Sequence, residues 1–548
     1  MLLYHQPRVL LPAFGLLLGA LVAVIWLDNA VNRGVTYAPV PPPIPWADVP
    51  QGGVNVFNLH LEPDPAVVSR TLELAQGLGV HYVRMQVPWE DIEIAGPGDF
   101  VDRRHDLDGD GVADAVSAWA KYDRIVAKAR ALGLELIFRL ERPPAWARQQ
   151  GMATAAWQAG LARNSDSTGP PDDFSAFARF AGAVAARYRG QVRFYQIWNE
   201  PNLVYEWGWQ QPDPVRFVDL LRVGSEAIRA ADPAAVVIFP SLAPTDGLDP
   251  LAPISDLDFL DQVYQNGGAP YFDIVSAQAY GLGQPPEEHR YVRLRQRTEW
   301  NWLRPLDTRT DVSRIVLLRE VMERHGDHQK AIWIGEFGWN TAPEHYPQTW
   351  GPPVSPAQQA AYIVGQMQRA RREWPWVGVM NIWMLRWGGP DPLPGNPTPY
   401  FAIVGRDWQP LPAYDAVRAY LAQPVAGVGA HAWTHPAVER RAAATWAVRF
   451  EGTSFALLGG AGRCEVTIDG GPPLSCAAGG ADRVATVAGD LPNGAHTALV
   501  RSPTGPPQAF LVGRAPPLPL WLWALMPALL TIGLVIIGGL AARTLIAH

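Results

Sequence analysis

Cysteine is almost missing: Cys464 and Cys476 are the two in 548 residues, which rules out a disulfide framework or a cysteine-built zinc cluster. Charge is sparse as well. Asp, Glu, Lys and Arg make up 18% of the chain and sum to −7, with no basic footprint, so nucleic acid is not the expected partner. HExxH and CxxC spacings, a P-loop and a dinucleotide fingerprint are all lacking, which leaves metalloprotease, thiol-redox and nucleotide chemistry without an anchor. Apolar residues, by contrast, reach 48%, and 23 Trp, 17 Phe and 16 Tyr give material for a large core, so the chain is not disordered. Its length exceeds one ordinary domain and fits a large barrel plus a small domain.

The long uncharged runs lie at the ends. Residues 9–27, bounded by Arg8 and Asp28, are long enough to cross a bilayer as a signal anchor, with residues 1–8 as a cytoplasmic tail. A cleaved signal peptide is the alternative, for which Asp28-Asn29-Ala30 is a poor cleavage site. A second apolar run, 516–542, carries Trp521 and Trp523 at interface level and Arg543 beyond it. Arginine outside each run places both termini in the cytoplasm and the intervening chain outside it, where Cys464 and Cys476 can pair across a hairpin or stay as two thiols. Residues 28–51 form a Pro-rich linker, extended through PVPPPIPWADVP at 39–50.

Eight apolar, β-branched runs follow, at 53–62, 81–89, 134–140, 192–200, 235–242, 272–280, 331–339 and 377–385. Between them lie segments at helical spacing, such as 117–132 and 173–189. Buried-type strands alternating with helices predict an α/β fold, a (β/α)8 TIM barrel over 52–423, rather than an open doubly wound sheet. Over 430–514 the pattern changes to short alternating runs divided by Gly, Pro and Asp-Gly turns, which predicts a small antiparallel β-sandwich.

At the carboxyl ends of barrel strands, side chains point into the mouth where such folds carry their chemistry. Glu200 closes the fourth run in Ile197-Trp198-Asn199-Glu200-Pro201-Asn202, and Glu336 closes the seventh in Gly335-Glu336-Phe337-Gly338-Trp339. A carboxyl group after an apolar run is costly unless paired, hydrogen-bonded or protonated, and two facing each other have their pKa values pushed apart. One residue type thereby supplies both an acid and a nucleophile. The alternative is a structural ion-pair role for both.

The Asn-Glu pair ending strand four and the Gly-Glu-Phe-Gly-Trp ending strand seven resemble the clan A glycoside hydrolases, in the branch around families 39 and 5, over most of 52–423. The resemblance implies a retaining O-glycosyl hydrolase acting by double displacement. Glu200 is then the general acid/base and Glu336 the nucleophile, with their carboxyl groups about 5–5.5 Å apart, and Asn199 binds the sugar 2-hydroxyl. Arg84 matches an arginine that keeps the nucleophile ionised, and Trp383 a tryptophan that floors the subsite. Tyr280 can donate to the nucleophile, whereas Gln278 stands where many family 5 relatives have histidine. Trp339, Trp146, Trp207, Trp209 and Trp387 lie at or after strand ends, where aromatic faces stack on sugar rings or simply pack. The same glutamates would serve a transglycosylase, and a non-catalytic glycan-binding surface protein is a third reading. The implied partners are an oligosaccharide, polysaccharide or glycoconjugate, and the membrane through two helices.

No cofactor is required for that chemistry, but one loop has a calcium pattern. Asp106, Asp108, Asp110 and Asp114 place oxygens at positions one, three, five and nine, with Gly111 at six and Ser117 where an EF-hand has glutamate. A structural Ca2+ stiffening the loop is expected, or else a solvated acidic turn.

Overall fold

The computed structural model describes all residues except 1–6, 57, 105–109, 153–168, 288–311, 348–350, 389–394, 460, 480–482 and 547–548. Eight parallel strands close into a barrel: β1 Gly52–Asn55, β2 Tyr82–Pro88, β3 Glu135–Glu141, β4 Phe194–Ile197, β5 Val236–Leu242, β6 Ile274–Gln278, β7 Ala331–Phe337 and β8 Val377–Ile382. Each pairs with its sequence neighbours, and β1 closes the ring on β8 through Val54 opposite Ile382. Their side chains are buried on both faces, which accounts for the near-continuous apolar runs.

Preceding the barrel is helix α1, Pro7–Asn32; each strand is then followed by a helix: α2 Pro65–Leu78, α3 Ala120–Ala131, α4 Phe174–Arg187, α5 Pro214–Ala231, α6 Asp256–Gln265, α7 Arg314–Arg324, α8 Pro356–Glu373 and α9 Pro412–Leu421. Local sequence sets their limits. Asp64, Asp173 and Asp213 accept backbone N–H groups at the starts of α2, α4 and α5, and Ser355 with Gln358 forms a capping box on α8. Leu72, Ala75 and Leu78 of α2, and Phe177, Phe180 and Val184 of α4, bury one face against the strands.

Nine short strands make the second unit: β9 Gly429–His431, β10 Val438–Ala442, β11 Thr445–Gly452, β12 Ser454–Leu458, β13 Ala461–Ile468, β14 Leu474–Gly479, β15 Val484–Ala488, β16 Gly494–Arg501 and β17 Ala509–Gly513. They form antiparallel sheets in the orders β9-β17-β12-β15 and β10-β11-β16-β13-β14. Phe450, Phe455 and Phe510 fill the space between them, with Phe455 stacked on Phe510 at 5.9 Å. Cys464 and Cys476, directly opposite on β13 and β14, form a disulfide. Arg371 and Arg372, at the end of α8, both bond Glu451 of β11 and tie the barrel to the sandwich.

Among the described residues, helices α1 and α10, Leu520–Ile546, contain the two stretches long and apolar enough to span a membrane, Val9–Asn32 and Leu520–Arg543. They pack antiparallel: a Cβ at Gly533 would lie 3.2 Å from Leu17, and one at Gly538 would lie 3.3 Å from Phe14. Asn32 bonds Asp28 at 2.7 Å, so α1 continues past the apolar run instead of ending at Leu27.

The disulfide closes a loop of sequence separation 12, which in chain-entropy terms contributes about 3 kcal/mol. Replacing both cysteines by serine is expected to lower the urea midpoint of the sandwich accordingly; an unchanged midpoint would show that the bridge adds nothing.

Candidate active site

Polar side chains within apolar strands converge at the carboxyl end of the barrel. Arg84 of β2, 2% exposed, reaches four acceptors: Asn55 Oδ1 at 2.7 Å, Glu336 Oε1 at 2.9 Å, Gln196 Oε1 at 3.0 Å and Asn199 Oδ1 at 3.2 Å. The other oxygen of Glu336 accepts the Tyr280 hydroxyl at 2.8 Å. Glu200 Oε1 accepts from Gln278 Nε2 at 2.7 Å, and its Oε2 from Asn199 Nδ2 at 3.3 Å. Asn199 therefore bridges the cation that holds Glu336 and the carboxyl of Glu200.

Backbone geometry places Glu200. Trp198 and Glu200 have φ of 69° and 42°, left-handed conformations that cost about 1–3 kcal/mol each in a residue with a Cβ. They persist because neighbours fix them. Trp198 N–H donates to the Leu140 carbonyl, Glu200 N–H to Ser241, and the Trp198 indole to the Glu206 carbonyl at 3.1 Å. Asn202, fully buried, exchanges hydrogen bonds with the backbone of Ala243 at 2.9 and 3.0 Å and anchors the turn to β5. On β7, Gly335 precedes Glu336 because a Cβ there would collide with the Ser241 and Ser276 hydroxyls, which bond each other at 2.6 Å.

The two glutamates sit in opposite electrostatic settings. Burial raises the Glu200 pKa well above the usual carboxylate range, and the nearby Glu336 and Glu206 add to it, against the Gln278 hydrogen bond and Arg139. Glu336 has Arg84 in contact and Arg139 at 3.6 Å. Burial likewise drives the Tyr280 pKa well upward, with Glu336 adding to the rise, so its hydroxyl is a donor. Burial pulls the Arg84 pKa down, although Glu336 opposes it.

The pair of glutamates with Asn199, Arg84, Tyr280 and Gln278 forms one connected network. The tryptophans divide. Trp339 is 1% exposed, its indole donating to the Gln284 carbonyl at 2.7 Å and its ring filling the space a Cβ at Gly281 would need, so it is wall and not a stacking face. Trp146, half-buried, donates to the Glu93 carbonyl at 3.0 Å and meets Trp89 edge-on at 5.5 Å, a packing role. Trp207 is buried beside Trp198, whereas Trp209, Trp383 and Trp387 are half-buried. Trp383 continues β8, with its N–H on the Phe337 carbonyl at 2.8 Å. Asp106 and Asp108 fall outside the described residues; Asp110 and Asp114 are described, and Asp110 accepts the Val112 N–H.

Five contributors escape the sequence reading: Asn55, Arg139, Glu141, Gln196 and Glu206. Arg139 pairs with Glu141 at 2.7 Å inside the wall. A signal for three of them existed, since Asn55, Arg139 and Gln196 each interrupt an apolar strand, where a polar side chain needs a partner.

The chain is similar to a family 39 glycoside hydrolase from the gut symbiont Bacteroides cellulosilyticus WH2 (17% identity over 85% of this chain and 84% of that one, TM-score 0.48). It is similar as well to a monomeric β-xylosidase from Caulobacter crescentus CB15 (16%, 85% and 98%, 0.45) and an endo-1,4-β-D-mannanase from Thermotoga petrophila RKU-1 (14%, 68% and 99%, 0.40). No protein family and no curated protein matches by sequence. At these identities and superpositions, no chemistry carries over from those proteins to this chain.

Replacing Arg84 by Leu takes from the buried Glu336 its contacting guanidinium and leaves only Arg139 at 3.6 Å, and a loss of about 3–5 kcal/mol is expected in urea unfolding. A fall below about 1 kcal/mol would show that Glu336 relaxes to solvent and that the network is not rigid.

Proposed function

We propose that the chain is a membrane-anchored, extracytoplasmic retaining glycoside hydrolase. The observation that carries this reading is the asymmetry of the two glutamates, one ion-paired to Arg84 and the other driven toward its protonated form by burial and by its neighbour. An acid and a nucleophile at one mouth are what double displacement at an anomeric carbon requires.

Glu200 protonates the glycosidic oxygen as Glu336 attacks the anomeric carbon, giving a glycosyl ester on Glu336 and releasing the aglycone. Glu200, now ionised, takes a proton from water, which attacks the same carbon and frees Glu336 with overall retention. Asn199 offers its amide to the sugar 2-hydroxyl while Arg84 holds the other end of that side chain, and Tyr280 fixes the attacking carboxylate. The substrate is an oligosaccharide, a polysaccharide or a glycoconjugate. Helices α1 and α10 supply the anchor, with Arg8 and Arg543 on the cytoplasmic side and the disulfide outside.

Incubation with a panel of 2-fluoro aryl glycosides is expected to trap an ester on Glu336 with the matching sugar, read by peptide mass. Turnover of aryl glycosides by wild type, with Glu336→Gln and Glu200→Gln each reduced at least about a thousandfold, supports the reading; binding of glycans without turnover by wild type sinks it. The pH profile gives a second check. Gln278 bonds Glu200 in a way that favours its ionised form, so Gln278→Leu raises the pKa of the acid further. Activity requires the protonated acid in the first step, so the alkaline limb of kcat/KM moves to higher pH; a shift to lower pH contradicts the assignment.

A further inference from the structure

At the amino end of the barrel, away from the glutamates, three potential metal ligands meet: Asp48 from the segment before β1, His431 on β9 and His435 in the turn that follows. One ligand atom of each lies within 4.8 Å of the others. A cavity of about 200 Å3 adjoins them, lined in part by Pro41, Ile44, Trp374 and Tyr420. We propose that Asp48, His431 and His435 form a binding site for a divalent transition cation, Zn2+ by its donor set, with the fourth position open to water from that cavity.

The hydrogen-bond pattern points to a cation. His431 Nε2 lies 2.8 Å from the Gly427 carbonyl, which only accepts, so this nitrogen carries the proton. Its Nδ1 then faces Asp48 Oδ1 at 2.7 Å. A lone pair and a carboxylate oxygen at that distance need a cation between them, a proton or a metal. Asp48 Oδ2 accepts the Ala432 N–H at 2.6 Å, which aims Oδ1 at the imidazoles. An imidazole tied to a backbone carbonyl and a carboxylate tied to a backbone amide are the outer contacts that orient metal ligands.

His435 Nε2 stands 3.9 Å from the same Asp48 oxygen. Tetrahedral zinc at about 2.0–2.1 Å from each ligand sets ligand atoms about 3.3 Å apart. The pair at 2.7 Å has to open and the pair at 3.9 Å to close, each by about 0.6 Å, and the two imidazole nitrogens, within 4.8 Å of each other, have to close by up to about 1.5 Å. His435 Nδ1 accepts the Ala437 N–H at 3.0 Å; binding through Nε2 moves the ring proton to Nδ1 and takes the acceptor from that N–H, a cost that ligation has to outweigh.

Zinc here would clasp the segment leading from α1 onto the sandwich leading to α10. The test uses the purified full-length chain in detergent, loaded with Zn2+ and dialysed against metal-free buffer. One zinc per chain is expected by elemental analysis, with Co2+ in its place giving the intense visible absorption of a four-coordinate site. His435→Ala and Asp48→Asn are each expected to weaken zinc binding at least about a hundredfold, while Glu336→Gln, at the other end of the barrel, retains it. Should either ligand variant fail to fold, the Co2+ spectrum of the wild-type chain decides. Substoichiometric zinc, a weak six-coordinate cobalt band or unchanged affinity in the ligand variants overturns the site and leaves a proton between Asp48 and His431.

Discussion

A guanidinium sealed inside a barrel fixes whatever surrounds it. Arg84 is 2% exposed, and taking its charge out of water costs several kcal/mol unless every donor finds an acceptor. Its four acceptors come from β1, the inside of β4, the turn after β4, and β7. One side chain thus locks three strands and the Asn199 amide into a single arrangement. The asymmetry of the two glutamates follows from this. Two carboxylates near each other cannot both be charged cheaply, and Arg84 belongs to Glu336, so the penalty falls on Glu200, whose partners are two neutral amides. The difference in setting between two residues of the same type follows from where one arginine sits on β2.

The left-handed backbone at Trp198 and Glu200 belongs to the same economy of positions. A regular strand would carry Glu200 on past the rim; the turn instead doubles it back, and the stored strain is held by Asn202 on Ala243 and by the Trp198 indole on the Glu206 carbonyl. Such strain survives only where surrounding contacts over-determine the conformation. Trp198, Trp207 and Phe217 form an edge-to-face series beneath the turn, so aromatic mass that the sequence offers as sugar-stacking surface is spent in part on supporting Glu200. Trp339 likewise goes into packing, its indole on the Gln284 carbonyl. Composition counts rings but does not say which face of a ring is wet.

The barrel was legible because its signals are periodic and redundant: all eight strands match the apolar runs to within one residue at the overhanging ends of β1 and β3, and Asp173 starts α4 where the helical spacing begins. The sandwich was legible in type but not in full. Strands β9, β10 and β14 carry Gly, Arg and Ser-Cys-Ala-Ala sequences with little alternation, and pairing with stronger neighbours makes them strands. In the site, Glu200, Glu336, Asn199, Tyr280 and Gln278 were readable as neighbours because motif and strand end coincide, whereas Arg84 lies inside β2 and was readable through the resemblance alone. Glu206 was not, because it lies in a loop whose path depends on long-range contacts, and the fate of each tryptophan was not, because stacking and packing call for the same residue.

The two ends of the barrel do different work. At the amino end Trp46 acts as a plug: its ring meets Phe194 edge-on at 5.6 Å under the Arg193 guanidinium at 4.4 Å, and its carbonyl accepts the Trp333 indole at 2.8 Å. The chain from α1 reaches this plug past Thr36 on the Glu373 carbonyl and Ala38 on the Arg514 carbonyl, so the leads to both apolar helices meet there. Parallel strands impose the rest. Their carboxyl ends, where the glutamates stand, all lie at the opposite end from the closed floor. The lead segments fasten to the end opposite the glutamates, and the mouth can change its loops without disturbing the attachment.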